Sequence, residues 1–314
     1  MDCWNCFDVN GKGVMSVDEV KPSAPLRKFF LATAILVICF GKPLIDLLRL
    51  AAKDDLYSYI PLIPLISLYL IWLQKKSLPS LSEPVRKLAA LFFAGGFAII
   101  AGYLFFIHSA SLANEDYLAL TIFAFLLLFT GACCLFLGGK MSRAIAFPIG
   151  LLVFMIPFPE FVRHGIEAFL QHGSAAVADG LFKLSGMPVY QDGLMFRLPG
   201  FNLEVATECS GIRSSLMLFI MSLLTGYLFL RKPWNRTMLA LAVIPLALLR
   251  NGFRIFVIGQ LCVRVGPDMI YSPIHRHGGP LFFILALIPL LLLLICLRKS
   301  ERANKKSPPP TSEI

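Results

Sequence analysis

Charged side chains are scarce in this sequence. Only 15% of its 314 residues are Asp, Glu, Lys or Arg, where a soluble domain carries about a quarter. Together with a hydrophobic fraction of 57% and a mean hydropathy of +0.74, the shortfall excludes a water-soluble globule. No internal repeat is present, which excludes a repeat array. The first 28 residues are polar and no small-residue cleavage site follows the first apolar run, so no cleavable signal peptide is expected. The Cys-x-x-Cys spacing of Cys3 and Cys6 lacks a second ligand pair, which argues against zinc or redox chemistry there.

What remains is a succession of long apolar runs, at approximately 29–51, 57–74, 88–107, 117–137, 144–157, 210–230, 237–259 and 280–297. Lipid cannot satisfy free backbone groups, so these runs are expected to be helices. Lys42 and Pro43 interrupt the first and predict a kink; the fifth is short, ends in Pro-Phe-Pro, and is expected to enter only part of the bilayer. The division is a tail over 1–28, a polytopic membrane domain over 29–297 and a basic tail over 298–314.

A net charge of +10 can signal nucleic acid, but its distribution argues against a nucleic-acid partner. With the N-terminus inside, the inner segments hold 18 Lys and Arg and the outer ones 7. The positive-inside rule then places both termini in the cytoplasm and residues 158–208 outside, in a cell or inner membrane. The first half of that outer segment spaces Val162, Ile166, Phe169, Leu170, Val177, Leu181 and Leu184 as one face of an amphipathic helix suited to the membrane surface. In the second half Gly193 and Pro199-Gly200 are turn signals, and Phe201, Leu203 and Val205 alternate with polar residues, predicting a short β-hairpin. The expected fold class is therefore an all-α integral membrane protein of about eight transmembrane helices, with an extracytoplasmic amphipathic helix and a hairpin.

The chemistry-bearing residues gather at the outer face. Cys209 opens the sixth span; Arg254 lies 18 residues beyond Arg236, a helical rise of ~27 Å that carries it to the same level; His275 directly precedes the eighth span. A thiolate, a proton-transferring histidine and a cation suffice for nucleophilic acyl transfer. A helix N-terminus beside cations favours the thiolate, with Glu208 and Arg213 orienting neighbouring groups. Plainer readings stand beside this one. Cys39, Cys133, Cys134 and Cys296 read as small hydrophobes, and Arg254 could be a snorkelling anchor. A Cys209–Cys262 disulfide is an alternative in an oxidising compartment, His164 and His172 read as interfacial, and His277 rivals His275. A transporter would share the spans but expects polar groups near the midplane, and a membrane acyltransferase could use the same three residues.

Near the N-terminus, Asp8, Asn10, Gly13 and Glu19 fall on positions of a calcium-binding loop. Lys12 takes a ligand position and too little chain precedes the loop for its first helix, so a flexible tail is the preferred reading.

Three motifs, ECSGIRS at 208–214, NGFRI at 251–255 and HRHGGPLFF at 275–283, together resemble the exosortase/archaeosortase family of membrane cysteine transpeptidases. The likeness runs over roughly residues 40–297 and includes YSYIPLIPLISLYLIWLQKK at 57–76. The resemblance implies Cys209 as nucleophile, Arg254 rather than Arg250 or Arg213 as the arginine, and Asn251 as the start of the Asn-x-x-Arg motif. It implies His275 as the histidine, because Gly279 and Phe282 follow it at the family's spacing. Gly252 and Phe253 depart slightly from the pattern. The resemblance further implies substrates that are exported proteins bearing a C-terminal sorting signal: a short motif, often Pro-Glu-Pro, then a transmembrane helix and a basic cluster. Cleavage near the motif would precede transfer to an acceptor, a membrane lipid or glycolipid being compatible with a site at lipid level. No cofactor and no catalytic metal are implied.

Overall fold

The computed structural model describes residues 24–107, 113–266, 268–269 and 279–303. Twelve helices lie in this portion: α1 Ala24–Cys39, α2 Gly41–Lys53, α3 Leu62–Leu73, α4 Arg86–Gly102, α5 Asn114–Ala132, α6 Gly138–Ala144, α7 Ala146–Leu151, α8 Glu160–Leu184, α9 Ile212–Phe229, α10 Pro233–Leu241, α11 Val243–Arg264 and α12 Gly279–Ala303. By length and apolar character six segments can cross a membrane: Asp55–Leu73, Arg86–Phe105, Asn114–Ala144, Ile212–Phe229, Pro233–Arg264 and Gly279–Ala303. Two bent helix pairs raise the number to eight if each is one span. Leu91 and Phe97 of α4 and Leu281 and Ile284 of α12 are exposed, an outward apolar surface suited to lipid contact.

Both bent pairs fall in the runs that the sequence marks as interrupted or short, the first and the fifth. The kink expected within residues 29–51 is a 68° bend between α1 and α2 around Phe40. Pro43 explains the break: its ring clashes with the carbonyl four residues earlier and it brings no N–H to the helix. In the fifth run α7 continues only as a 3₁₀ turn, Leu152–Met155, before the chain bends by 90° into α8. The run Ala146–Met155 rises about 15 Å, half the apolar thickness of a bilayer.

Small residues set the close contacts, as expected where lipid supplies no hydrophobic drive between helices. A Cβ on Gly96 of α4 would stand 2.7 Å from Leu128 of α5. Between α8 and α11, Gly173 meets Leu248, Val177 meets Gly252 and Phe182 meets Gly259, so the two helices run side by side in the same direction.

The residues buried on α8 are Glu167, Leu170, Gln171, Ser174, Ala175, Ala178 and Phe182. This is not the face picked out by hydrophobic spacing, since Phe169 and Leu184 point outward.

After α8 the chain forms three antiparallel strands in the order β1 Tyr190–Asp192, β2 Met195–Leu198 and β3 Phe201–Glu204. The expected hairpin is thus a three-stranded meander, with Gln191 opposite Phe196 and Phe196 opposite Leu203. Phe196, Leu198, Leu203 and Val205 bury against Ala175, Ala178 and Phe182 of α8 and Ile255 of α11. The sheet is therefore fixed to the α8–α11 pair and delivers the chain directly to Cys209.

Candidate active site

Leaving β3, the backbone is first held by Gln171, whose Nε2 donates to the Val205 carbonyl at 3.1 Å. A 3₁₀ turn, Thr207–Cys209, follows, and α9 begins only at Ile212. Cys209 consequently stands just ahead of the helix, at its outer end as the sequence suggested, in a turn of its own. The residue is half-buried and packs against the cluster beneath the sheet. Gly211 makes the corner with φ +74°, a conformation costly for residues bearing a Cβ. A Cβ there would also lie 2.7 Å from Arg250 Nη2 and 3.0 Å from Asn251 Oδ1.

Three consecutive carbonyls of this corner turn towards α11. Asn251 Nδ2 donates to Cys209 O at 2.8 Å and to Ser210 O at 3.2 Å, and Arg250 Nη2 donates to Gly211 O at 3.2 Å. Asn251 is 1% exposed, and its Nδ2 also lies 3.1 Å from Ser174 Oγ on α8. One buried amide therefore ties α8, α11 and the cysteine turn together. Buried polar groups persist when bonded in this way, because an unbonded one costs about 1–3 kcal/mol. Arg254 sits one turn beyond Asn251 on α11 and is half-buried.

A cleft of about 820 Å³ opens beside the turn. Thr207, Ser210 and Gly211 form one wall, Arg254 another, and Gly279, Pro280 and Phe283 of α12 a third. Its charged lining is mixed: Asp54, Asp55 and Glu167 face it together with Arg163, Arg213 and Arg254. Arg163 pairs with Glu115 at 3.3 Å and Glu167 at 3.4 Å, while Tyr57 donates to Glu115 at 3.1 Å. Arg213 pairs with Asp55 at 3.0 Å, tying the start of α9 to the loop before α3. Most of these cations are thus held in place by carboxylates, and the cleft is polar without being strongly of one sign.

The sequence-chosen residues divide into three groups. Asn251 of α11 reaches the Cys209 carbonyl, and Arg254, one turn further along α11, lines the cleft with Arg213. Arg250 supports the Gly211 carbonyl from the buried side. His275, its rival His277 and the side chain of Glu208 lie outside the described residues, as do the calcium-loop-like segment and the Cys3–Cys6 pair; Gly279, four positions after His275, lines the cleft. The two histidines read as interfacial also separate. His164 faces the cleft, whereas His172 is exposed with Nδ1 2.8 Å from Ala168 O. Cys209 and Cys262 are both thiols, so the disulfide alternative is absent. Among the described residues no cluster of three or more His, Cys, Asp or Glu is arranged to hold a metal ion.

Sequence reasoning missed Ser174, Glu115 and Glu167. The signal for two of them was present: Glu167, Gln171, Ser174 and Ala178 recur at helical spacing as a small and polar stripe on α8.

The chain matches none of the curated proteins and none of the solved structures. The family model of the transmembrane exosortases matches it over residues 51–292, a stretch that takes in all three motifs and every described wall of the cleft. The chain therefore belongs to the transmembrane exosortases, a family of membrane transpeptidases.

Proposed function

We propose that this transpeptidase works through a thiol, with Cys209 as nucleophile, Arg254 as the cation at the reacting carbonyl and His275 as proton carrier. The observation that carries the reading is the Asn251 bridge: a buried side chain of α11 grips the Cys209 carbonyl one turn before Arg254. Such a link presets cysteine and arginine relative to each other before substrate arrives, and preset geometry is a large part of catalytic power. In the first step the thiolate attacks the scissile carbonyl, the C–N bond breaks, and His275 gives its proton to the leaving amine. The thioester so formed is then attacked by an acceptor nucleophile, whose proton returns to His275; the C–S bond breaks and the thiolate returns. Glu208, Arg213 and Asn251 support this core.

The substrates are exported proteins with a C-terminal sorting signal of the Pro-Glu-Pro type followed by a membrane helix and a basic cluster. A tethering helix fixes the depth of the scissile bond, so a cleft at the outer lipid boundary gains proximity without tight binding. The same reading puts both termini in the cytoplasm and the cleft outside, with a lipid or glycolipid as acceptor. The test is co-expression with a tagged substrate of this kind. Cys209→Ala and Cys209→Ser are expected to abolish processing at wild-type membrane levels; processing by both would remove the thiol mechanism.

A further inference from the structure

A second cavity lies away from the cysteine turn. It measures about 560 Å³ and is walled by Leu88 and Phe92 of α4, Leu127 and Thr130 of α5, Ile149 of α7 and Val153 of the 3₁₀ turn that follows it. Its origin is the shortness of α7, which leaves a notch beside two full-length helices. The lining runs from Val85, at the start of α4, to Phe92, and from Phe123 of α5 to Cys134 in the π-turn that continues it, which corresponds to about 10 and 16 Å of helix. That depth is one leaflet of a bilayer, half of ~30 Å. A bilayer cannot leave such a notch empty, and an acyl chain is the mobile apolar group at hand.

One end of the notch is cationic. Arg143 lines it, and the helix ends that frame it carry Lys140 on α6 and Arg86 and Lys87 on α4. Among the described residues none of these four has a carboxylate within ion-pair distance, unlike Arg163 and Arg213 of the cleft. The segment Ser82–Val85 is fastened across this end by Ser82 N to Leu137 O, Val85 N to Cys134 O and Gly139 N to Glu83 O, so the cations sit on a built frame. Gly138, at φ +80°, permits that contact, since any Cβ would collide with the Ser82 carbonyl. We infer that the notch binds an anionic phospholipid of the leaflet assigned to the cytoplasm, one acyl chain between α4, α5 and α7 and the phosphate against Arg143 and Lys140. Charge decides against the other apolar occupant available, a substrate's membrane helix. Its basic cluster would lie against four further cations.

The lipid site rests on the notch and its cations; only the exclusion of a substrate helix and the leaflet named rest on the proposed function. It is tested on the full chain in nanodiscs of phosphatidylcholine with and without phosphatidylglycerol, scoring retained lipid by native mass spectrometry. Phosphatidylglycerol is expected to be retained in preference, and each neutralised cation to weaken that preference about fivefold, so Arg143→Gln with Lys140→Gln largely removes it. Gly150→Leu points its side chain into open space in the notch and is expected to expel the lipid while the protein melts normally. Val153→Phe, at a half-exposed position, is the second filling variant should the first melt early. Equal retention of the two lipids, an unchanged preference in the double variant, or full lipid retention in a folded filling variant would each overturn the proposal. So would loss of substrate binding without loss of lipid, which would make the peptide the occupant.

Discussion

Asn251 concentrates several demands in one side chain. Its buried amide reaches two carbonyls of the half-buried cysteine corner and the buried hydroxyl of Ser174. Asn251→Ala is expected to leave those acceptors unbonded and to cost about 1–3 kcal/mol of stability; thermal melting of the purified protein measures it. The same variant should lower turnover more than substrate affinity, because it loosens the nucleophile and leaves the cleft walls in place. The two neighbouring arginines should respond differently. Arg254→Lys keeps the charge and loses the planar fork, and turnover should fall severely. Arg250→Lys should be milder, because a single donor to the Gly211 carbonyl can be replaced by an ammonium. Among histidines, His275→Ala should lose processing by about 10²–10⁴-fold, while His277→Ala keeps most of it. Turnover at matched membrane levels decides both comparisons, and an inactive His277→Ala beside an active His275→Ala would reverse the assignment.

At the scale of elements, the α8–α11 pair is the platform on which the sheet and the cysteine turn rest. Gly252 lets the helices approach, since a Cβ there would stand 2.5 Å from Val177. Gly252→Leu should therefore lower the melting temperature and disable processing together, although the residue touches no reacting atom. The spanning helices were legible in the sequence because long apolar runs have one economical solution in lipid. The α8 interface was not legible by the same rule. Hydrophobic spacing finds the surface an element hides from water, but in a membrane protein bulky apolar residues also face lipid, and small and polar ones mark the packed side. Hence Glu167 and Gln171, outside the face picked out by hydrophobic spacing, are buried, and Phe169, within it, is exposed. The corner at Gly211 was equally hidden, because the glycine reveals its purpose only once Arg250 and Asn251 stand behind it.

For the whole molecule, the proposed reaction requires that the cleft open away from the cytoplasm. The basic residues predict this orientation, and cysteine-accessibility labelling can check it. Residues 158–208 and 262–279 should label from outside, and 75–87 and 231–236 only after the membrane is breached. A cleft facing inward could not meet an exported substrate. The motifs were legible as three separated strings, and their order along the chain sufficed to suggest a common level. What the sequence could not display is the Asn251 bridge, because its partners stand 77 and 42 positions away.

The central claim is that a covalent acyl-enzyme forms on one sulfur. Wild-type protein incubated with a slowly transferred substrate should yield, on proteolysis and mass spectrometry, a peptide in which Cys209 carries the new substrate carboxyl end, released by hydroxylamine as a thioester is. Cleaved substrate with the adduct on another residue, or with Cys209 unmodified throughout turnover while processing persists in Cys209→Ala, would contradict the account.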